Sequence, residues 1–250
     1  MSHPPRELRL ATALVEFSDT LLDRFDPHRY LGRLADHCVD LLEARGAGVS
    51  LHDPGGPPGA IVKSSEQPRL VERLLVASPS ASPVHDCLRT GKPVEPVSLT
   101  SEDAVARWPV FTAVALRHGI TATYAVPLQR RDDTFGALGI FTPELPSGDE
   151  ELAIAQSLAD AAALGLANQR AYAQHRELAG QLQQALASRV RVEQAKGMLA
   201  ERWKTEPDAA FSILRQYARR NRLPIDQVSH SVIKRLLTDA QLRPDKPGPA

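Results

Sequence analysis

The stretch ITATYAVPLQRRDDTFGALGIFTPE, residues 120–144, decides the fold of the first part of the chain. In its first arm apolar and polar residues alternate, and β-branched residues are frequent. This pattern is typical of a strand. RRDD at 130–133 predicts a turn, and the second arm predicts the returning strand. The stretch therefore predicts a β-hairpin, in which Gly136 and Gly139 mark bulges or places where another backbone lies close.

The residues before this hairpin predict the rest of a sheet and its cover. Residues 6–24 and 28–44 show helical periodicity, and residues 67–77 and 83–90 predict two shorter helices. GAGVSLHD and GAIVKSSE, joined by PGGPPG, predict a second hairpin. The proline-rich residues 90–99 suit an edge strand or an extended loop. The predicted fold class is α+β, an antiparallel sheet with flanking helices.

One long helix is predicted after the second arm. No proline occurs between Pro146 and Pro207. A helix of about 55 residues would span about 80 Å, which is too long for the interior of one domain. Periodicity that continues beyond roughly 25 residues indicates a coiled coil or a connecting helix. The apolar stripe changes phase around residues 170–177, and we interpret the segment as a connecting and dimerisation helix.

Charge is distributed unevenly along a chain of zero net charge. Residues 188–236 contain 11 Lys/Arg and 5 Asp/Glu, a net +6, whereas residues 1–187 contain 17 Lys/Arg and 23 Asp/Glu, a net −6. A basic module attached to an acidic one predicts a polyanionic partner for the basic end, although basic helices are also often simply solvent-exposed.

Composition argues against several classes of protein. Cys38 and Cys87 are too few for a disulfide framework. No apolar run resembles a signal peptide or a membrane span, so we expect a cytoplasmic protein without a membrane partner. Walker, H-E-x-x-H and G-x-S-x-G patterns do not occur, so no metal site, catalytic residue or cofactor is predicted.

The last part of the chain shows three helical patterns. Their apolar stripes are expected to pack against one another, and this leaves their basic residues without a role in packing. Gly197 lies in the middle of the first helix, where glycine costs about 1 kcal/mol relative to alanine. A glycine beside Lys196 lets another backbone approach closely. That backbone would belong either to a neighbouring helix or to a nucleic acid, and the sequence leaves both open.

These helices carry a specific combination of motifs. SRVRVEQAKGMLAERW, then DAAFSILRQYARRNR, then DQVSHSVI resembles the ANTAR domain. Its pattern S-R-x-x-I-E-x-A-K-G, followed by A-F-x-x-L-R-x-x-A, is matched by Ser188, Arg189, Val192, Glu193, Ala195, Lys196, Gly197, Ala210, Phe211, Leu214, Arg215 and Ala218. Lys204 departs from the pattern where a glycine is expected, and Ser229 departs where alanine is usual.

The ANTAR resemblance implies a three-helix module that binds paired stem-loops in nascent transcripts and prevents terminator formation. Tyr217 is a candidate for stacking on an unpaired base, and Arg219–Arg220–Asn221–Arg222 for phosphate contact. The predicted RNA-binding residues are Arg189, Lys196, Gly197, Arg202, Arg215, Tyr217, Arg219, Arg220 and Arg222.

The first part of the chain is similar to a GAF domain in its order of elements and in the hairpin YAVPLQRRDDTFGALGIF. This resemblance implies a sensor or dimerisation platform, with a small molecule or a protein as its signal. We expect a GAF-like domain at 1–147, a connecting helix at 148–187, an ANTAR domain at 188–237 and a disordered tail at 238–250.

The expected function is an RNA-binding, homodimeric antitermination regulator that is not an enzyme. One alternative is a DNA-binding regulator with a helix-turn-helix end, since three short helices and a basic surface fit that class too. The other is a GAF-fold thiol reductase, which needs reactive paired cysteines. The ligand of the GAF domain stays unknown, since its cyclic-nucleotide motif N-K-F-D-E is absent.

Overall fold

The structure of the chain, a computed structural model, describes residues 4–18, 25–52, 61–76, 81–131 and 133–242. Contacts within the chain divide it into two compact units, residues 1–172 and 173–250. Each unit has its own apolar core.

One antiparallel sheet forms the centre of the first unit. Among the described residues it has five strands in the order β2-β1-β5-β4-β3. The strands are β1 (Gly46–Leu51), β2 (Ile61–Lys63), β3 (Val94–Ser98), β4 (Ala122–Arg130) and β5 (Asp133–Thr142).

The predicted hairpin of residues 120–144 is confirmed as β4 and β5. Its register runs from Ala122 opposite Thr142 to Arg130 opposite Asp133, with a shift between Leu128 and Gln129. The arms of the other predicted hairpin are β1 and β2, whose proposed turn PGGPPG lies outside the described residues. Strand β3 pairs with β4 alone and forms an edge of the sheet, as its prolines predict.

Helices cover both faces of the sheet. Those of the first unit are α1 (Arg6–Ser18), α2 (Pro27–Leu42), α3 (Pro68–Val76), α4 (Pro83–Thr90), α5 (Glu102–Arg107), α6 (Pro109–Arg117) and the first part of α7 (Glu150–Trp203). The expected α+β class is therefore confirmed, and the long helix is a single element of 54 residues. Residues 19–24, which the sequence assigned to the first helix, lie outside the description.

Alternation along β4 sends neighbouring side chains into two different cores. Tyr124 packs with residues of α1, α2 and α7, whereas Ala125 packs with residues of α3 to α6. Glycines bring α3 and α4 directly onto the sheet in the second core. A Cβ on Gly48 would lie 2.5 Å from Val71 Cγ1, and one on Gly139 would lie 2.5 Å from Val84 Cγ2. Side chains of the helices thus fill the space above this face of the sheet.

The second unit combines the last turns of α7 with α8 (Pro207–Arg220), α9 (Ile225–Ile233) and α10 (Asp239–Leu242). Its core consists of small and aliphatic side chains: Ala195, Leu199, Ala210, Leu214, Ala218, Val228, Val232 and Leu242. The sequence predicts a disordered tail from residue 238, but α10 is helical and Leu242 is buried. The rest of that tail, residues 243–250, lies outside the described part of the chain.

Candidate nucleic-acid interface

Helix α8 separates an apolar face from a basic one. Ala210, Leu214 and Ala218 recur every four residues and are buried in the core of the second unit. Arg215 and Arg219 follow each of the last two by one position and are exposed. Because burial of the apolar face fixes the rotation of the helix, it also directs these arginines towards solvent.

The structure brings three of the predicted RNA-binding residues together. Arg215, Arg219 and Arg220 line a surface groove of about 540 Å³, together with Ser212 and Gln216. Arg215 and Arg219 form no ion pair or side-chain hydrogen bond with another described residue. Arg220 donates a hydrogen bond to the carbonyl oxygen of Gln241 at 2.9 Å. We call this groove the α8 arginine groove. Arg215 and Arg219 are its two uncompensated cations, and Arg220 is held in place by its hydrogen bond.

Tyr217 lies at the edge of the core, where it is half-buried. The guanidinium carbon of Arg220 is 5.5 Å from the centre of its ring, a cation–π contact. One face of the ring is thus already engaged by an arginine. Base stacking by Tyr217 stays a prediction.

The other predicted basic residues lie outside the lining of the α8 arginine groove. Lys196 is paired with Glu193 at 2.6 Å, and Arg202 is paired with Asp239 at 3.1 Å. Arg189 and Arg222 are exposed and have no ion-pair partner among the described residues. The set predicted from sequence is therefore divided between a three-arginine groove and separate positions.

Gly197 is exposed on α7. The sequence left two reasons for a glycine here, close approach of a neighbouring helix or of a nucleic acid, and its surroundings argue against the first within this unit. Apart from the helix's own backbone, no described atom would lie within 4 Å of a Cβ at this position. Close packing against another helix of the same unit therefore does not require glycine here. Contact of Gly197 with a nucleic acid stays a prediction.

An ion pair that the sequence analysis missed joins α7 to α9. Arg191 donates from Nε to Asp226 Oδ1 at 2.6 Å and from a terminal nitrogen to Oδ2 at 2.8 Å. These hydrogen bonds hold the pKa of the Asp226 carboxyl below its ordinary value, and Ser188 adds a further side-chain hydrogen bond. The partners are 35 residues apart, so no local pattern predicts the pair.

Both departures from the ANTAR pattern occupy unfavourable environments. Lys204 has a φ of 50°, in the left-handed region, where glycine is the usual residue at a helix end. The Ser229 hydroxyl is buried and has no hydrogen-bond partner among the described residues. A buried hydroxyl without a partner costs about 1–3 kcal/mol. Lys204 and Ser229 thus each lower the folding stability of the second unit.

The two cysteines do not form the reactive pair that a thiol reductase needs. Cys38 belongs to the core on one face of the sheet and Cys87 to the core on the other face. Both thiols are free and fully buried, and burial raises the pKa of Cys87 to about 12. A thiol in that state is a poor nucleophile.

Among the described residues, no three His, Cys, Asp or Glu side chains lie close enough to hold a metal ion. No described helix is both long and apolar enough to cross a membrane.

An α+β domain followed by a small basic helical unit is the architecture of a two-module regulatory protein. The chain belongs to the GAF domain family, which matches residues 26–167, more than half of its length. The ANTAR domain matches residues 180–233, which include the α8 arginine groove. Both resemblances seen in the sequence are confirmed, and together they define a regulator with a sensor domain.

Solved structures similar to the first unit are distant. The phycoerythrobilin-bound GAF domain of a cyanobacterial phytochrome is 14% identical, with 70% of this chain and 100% of that one covered and a TM-score of 0.48. Free methionine-R-sulfoxide reductase from Neisseria meningitidis is 14% identical, with 69% and 96% covered and a TM-score of 0.45.

The chromophore-binding domain of a bacteriophytochrome from R. palustris is 10% identical, with a TM-score of 0.45. That match covers 66% of this chain and 61% of that one. No curated protein matches the chain.

The pair of Arg191 and Asp226 predicts a pH dependence. A lowered carboxyl pKa contributes stability above the unfolded value of 3.8, and this stability disappears as the pH falls through the folded value. We expect Asp226→Asn to speed amide hydrogen exchange in α8 and α9 at neutral pH, with the difference from wild type shrinking below about pH 4. Glu201→Gln, which removes an exposed pair with Lys204, is the control. Equal exchange in all three proteins at pH 7 would show that the pair does not hold α9.

Proposed function

We propose that the protein is a transcription antitermination regulator that binds paired stem-loops in nascent RNA through its ANTAR domain, under control of its GAF domain. ANTAR domains are RNA-binding modules, and GAF domains act as sensors and commonly mediate dimerisation. We keep the division proposed from sequence, with a connecting segment at 148–187 and the RNA-binding domain at 188–237, and we place the protein in the cytoplasm, where transcripts are made.

The α8 arginine groove is the observation that carries this proposal. A phosphate group accepts hydrogen bonds from a guanidinium in a forked geometry, and a bent RNA backbone presents several phosphates within a few ångströms. Arg215 and Arg219 are exposed and uncompensated, so binding does not first have to break an existing ion pair. The hydrogen bond from Arg220 to Gln241 holds a third cation beside them.

Open space around Gly197 supports a second contact with RNA. Glycine is retained there at a cost to helix stability, and nothing in the described chain fills the space in which a side chain would lie. A bare backbone next to Lys196 lets a sugar–phosphate chain lie directly on the helix.

A homodimer through α7 would present two such surfaces. Leu178, Leu182, Leu186 and Val190 follow one another every four residues on α7, and their exposed fractions are 54%, 57%, 64% and 55%. A ridge of residues at this spacing packs against the same ridge of another helix at an angle near −50°. Four large exposed apolar residues in one row favour a second copy of the chain as partner. Two linked ANTAR domains would then bind two hairpins with a higher effective concentration.

Reversal of charge in the groove tests the RNA interface. We expect Arg215→Glu with Arg219→Glu to weaken binding to a two-hairpin RNA by at least about tenfold, and to lower the salt dependence by about one unit of slope per lost phosphate contact. Lys234→Glu with Arg235→Glu makes the same change of net charge outside the groove. Fluorescence anisotropy over a salt series measures both double variants. Equal losses would show that net charge, rather than the groove, determines affinity.

Gly197 is tested by two alanine substitutions on α7. We expect both Gly197→Ala and Gly180→Ala to raise the free energy of unfolding by about 1 kcal/mol, because both positions are exposed and open. Only Gly197→Ala should weaken RNA binding, since its methyl group occupies the space left for the ligand. Urea unfolding and RNA titration of the two variants are compared. Unchanged RNA affinity in Gly197→Ala would remove this position from the interface.

Dimerisation is tested in the apolar row of α7. We expect Leu182→Glu to convert a dimer into a monomer in sedimentation velocity, because it places a charge in the interface. Affinity for a two-hairpin RNA should fall towards that for a single hairpin. Leu236→Glu changes another exposed leucine of the second unit, 69% exposed against 57% for Leu182, and should leave the dimer intact. A monomeric wild-type protein, or a dimeric Leu182→Glu variant, would contradict the proposed interface.

A further inference from the structure

A groove lies between α3 and α6 on the surface of the first unit. Its volume is about 500 Å³, within the range of about 300–1,000 Å³ typical of small-molecule sites. Each helix contributes residues that lie about one turn apart, so two helical faces form its walls. The lining consists of Glu72, Arg73, Val76, Val114, Arg117 and His118.

The walls of this groove carry exposed apolar side chains. Val76 is 55% exposed, and Val114 faces it from α6 as part of the same lining. Val110 lies one turn before Val114 on α6, outside the lining of the groove, and is 56% exposed. Burial of these side chains by a ligand would be favourable, since apolar surface would leave water.

Two uncompensated arginines border the apolar surface. Arg73 and Arg117 make no ion pair or side-chain hydrogen bond with another described residue. The acidic residue of the lining is already satisfied, because Glu72 accepts a hydrogen bond from Lys63 at 2.7 Å. That hydrogen bond also keeps the pKa of Glu72 below its ordinary value. The groove therefore presents the positive charge of two arginines to a ligand.

Under α3, the described residues pack closely against the sheet. Val71 of α3 lies against Gly48 so closely that a Cβ on the glycine would lie 2.5 Å from it. Leu74 and Leu75 also belong to the core under this helix. A small molecule that contacts α3 thus has space on the outer side of the helix.

We propose that the α3–α6 groove binds a small organic anion with an apolar body, of the class of medium-chain monocarboxylates. The carboxylate pairs with Arg73 and Arg117, and the alkyl chain lies along Val76, Val114 and Val110. The short length of both helices, nine residues each, favours a small molecule over an acidic peptide. This site lies in the GAF domain and is independent of the RNA interface.

Calorimetric titration of the full chain with sodium octanoate tests the proposal, with octylammonium chloride as the matched cation. We expect saturable binding of one octanoate per chain and no binding of octylammonium. Arg73→Gln with Arg117→Gln should weaken octanoate binding by at least about tenfold, because both carboxylate partners are lost. Arg29→Gln with Arg69→Gln removes two exposed charges from α2 and α3 outside the groove and should change nothing. Circular dichroism checks that all variants are folded.

A second variant keeps the charges and changes the apolar wall. Val114→Asn should weaken octanoate binding and leave Arg73 and Arg117 in place. Wild-type affinity in either groove variant, equal binding of octylammonium, or no binding of octanoate at all would overturn the proposal. None of these results depends on RNA, so failure here and failure of the antitermination proposal are separate outcomes.

Discussion

Packing of α7, α8 and α9 around a small aliphatic core determines what the second unit presents to a partner. The eight residues of this core include three alanines, two of which lie on α8, and small side chains let helices lie close together. With Ala210, Leu214 and Ala218 on the buried face of α8, Arg215 and Arg219 lie on its exposed side. The basic surface is therefore a consequence of the core rather than an independent feature.

A unit this small needs additional interactions, and the ion pair of Arg191 and Asp226 supplies one. It joins α7 to the first turn of α9 in a two-pronged geometry that tolerates little displacement. The same unit gives up stability at Lys204 and at the buried hydroxyl of Ser229. Gly197, inside the last two turns of α7, adds a third cost. Such costs weigh most in a small module, which buries a smaller fraction of its surface than a large domain does.

The spacing of apolar residues along the sequence predicted helices and strands in both units, because this spacing depends on which side chains are buried. In α8, Ala210, Leu214 and Ala218 are buried as their spacing predicts, whereas Phe211 and Tyr217 of the same predicted stripe are half-buried. Both arms of the predicted hairpin form strands, and their residues are buried on both faces of the sheet rather than on one. Residue type predicted the arginines of the groove, because arginine side chains without a partner are seldom buried. Long-range contacts had no local signal, and the pair of Arg191 and Asp226 was missed for that reason. The α3–α6 groove was missed too, because it depends on how two helices lie side by side.

The central claim is that the second unit binds paired RNA hairpins, and one titration tests it most directly. The full chain is titrated against an RNA with two adjacent short hairpins, against a single hairpin, and against duplex DNA, at several salt concentrations. The account predicts that the two-hairpin RNA binds most tightly and that its affinity falls steeply with salt. Tighter binding to duplex DNA, or equal weak binding to all three by a folded protein, would contradict it.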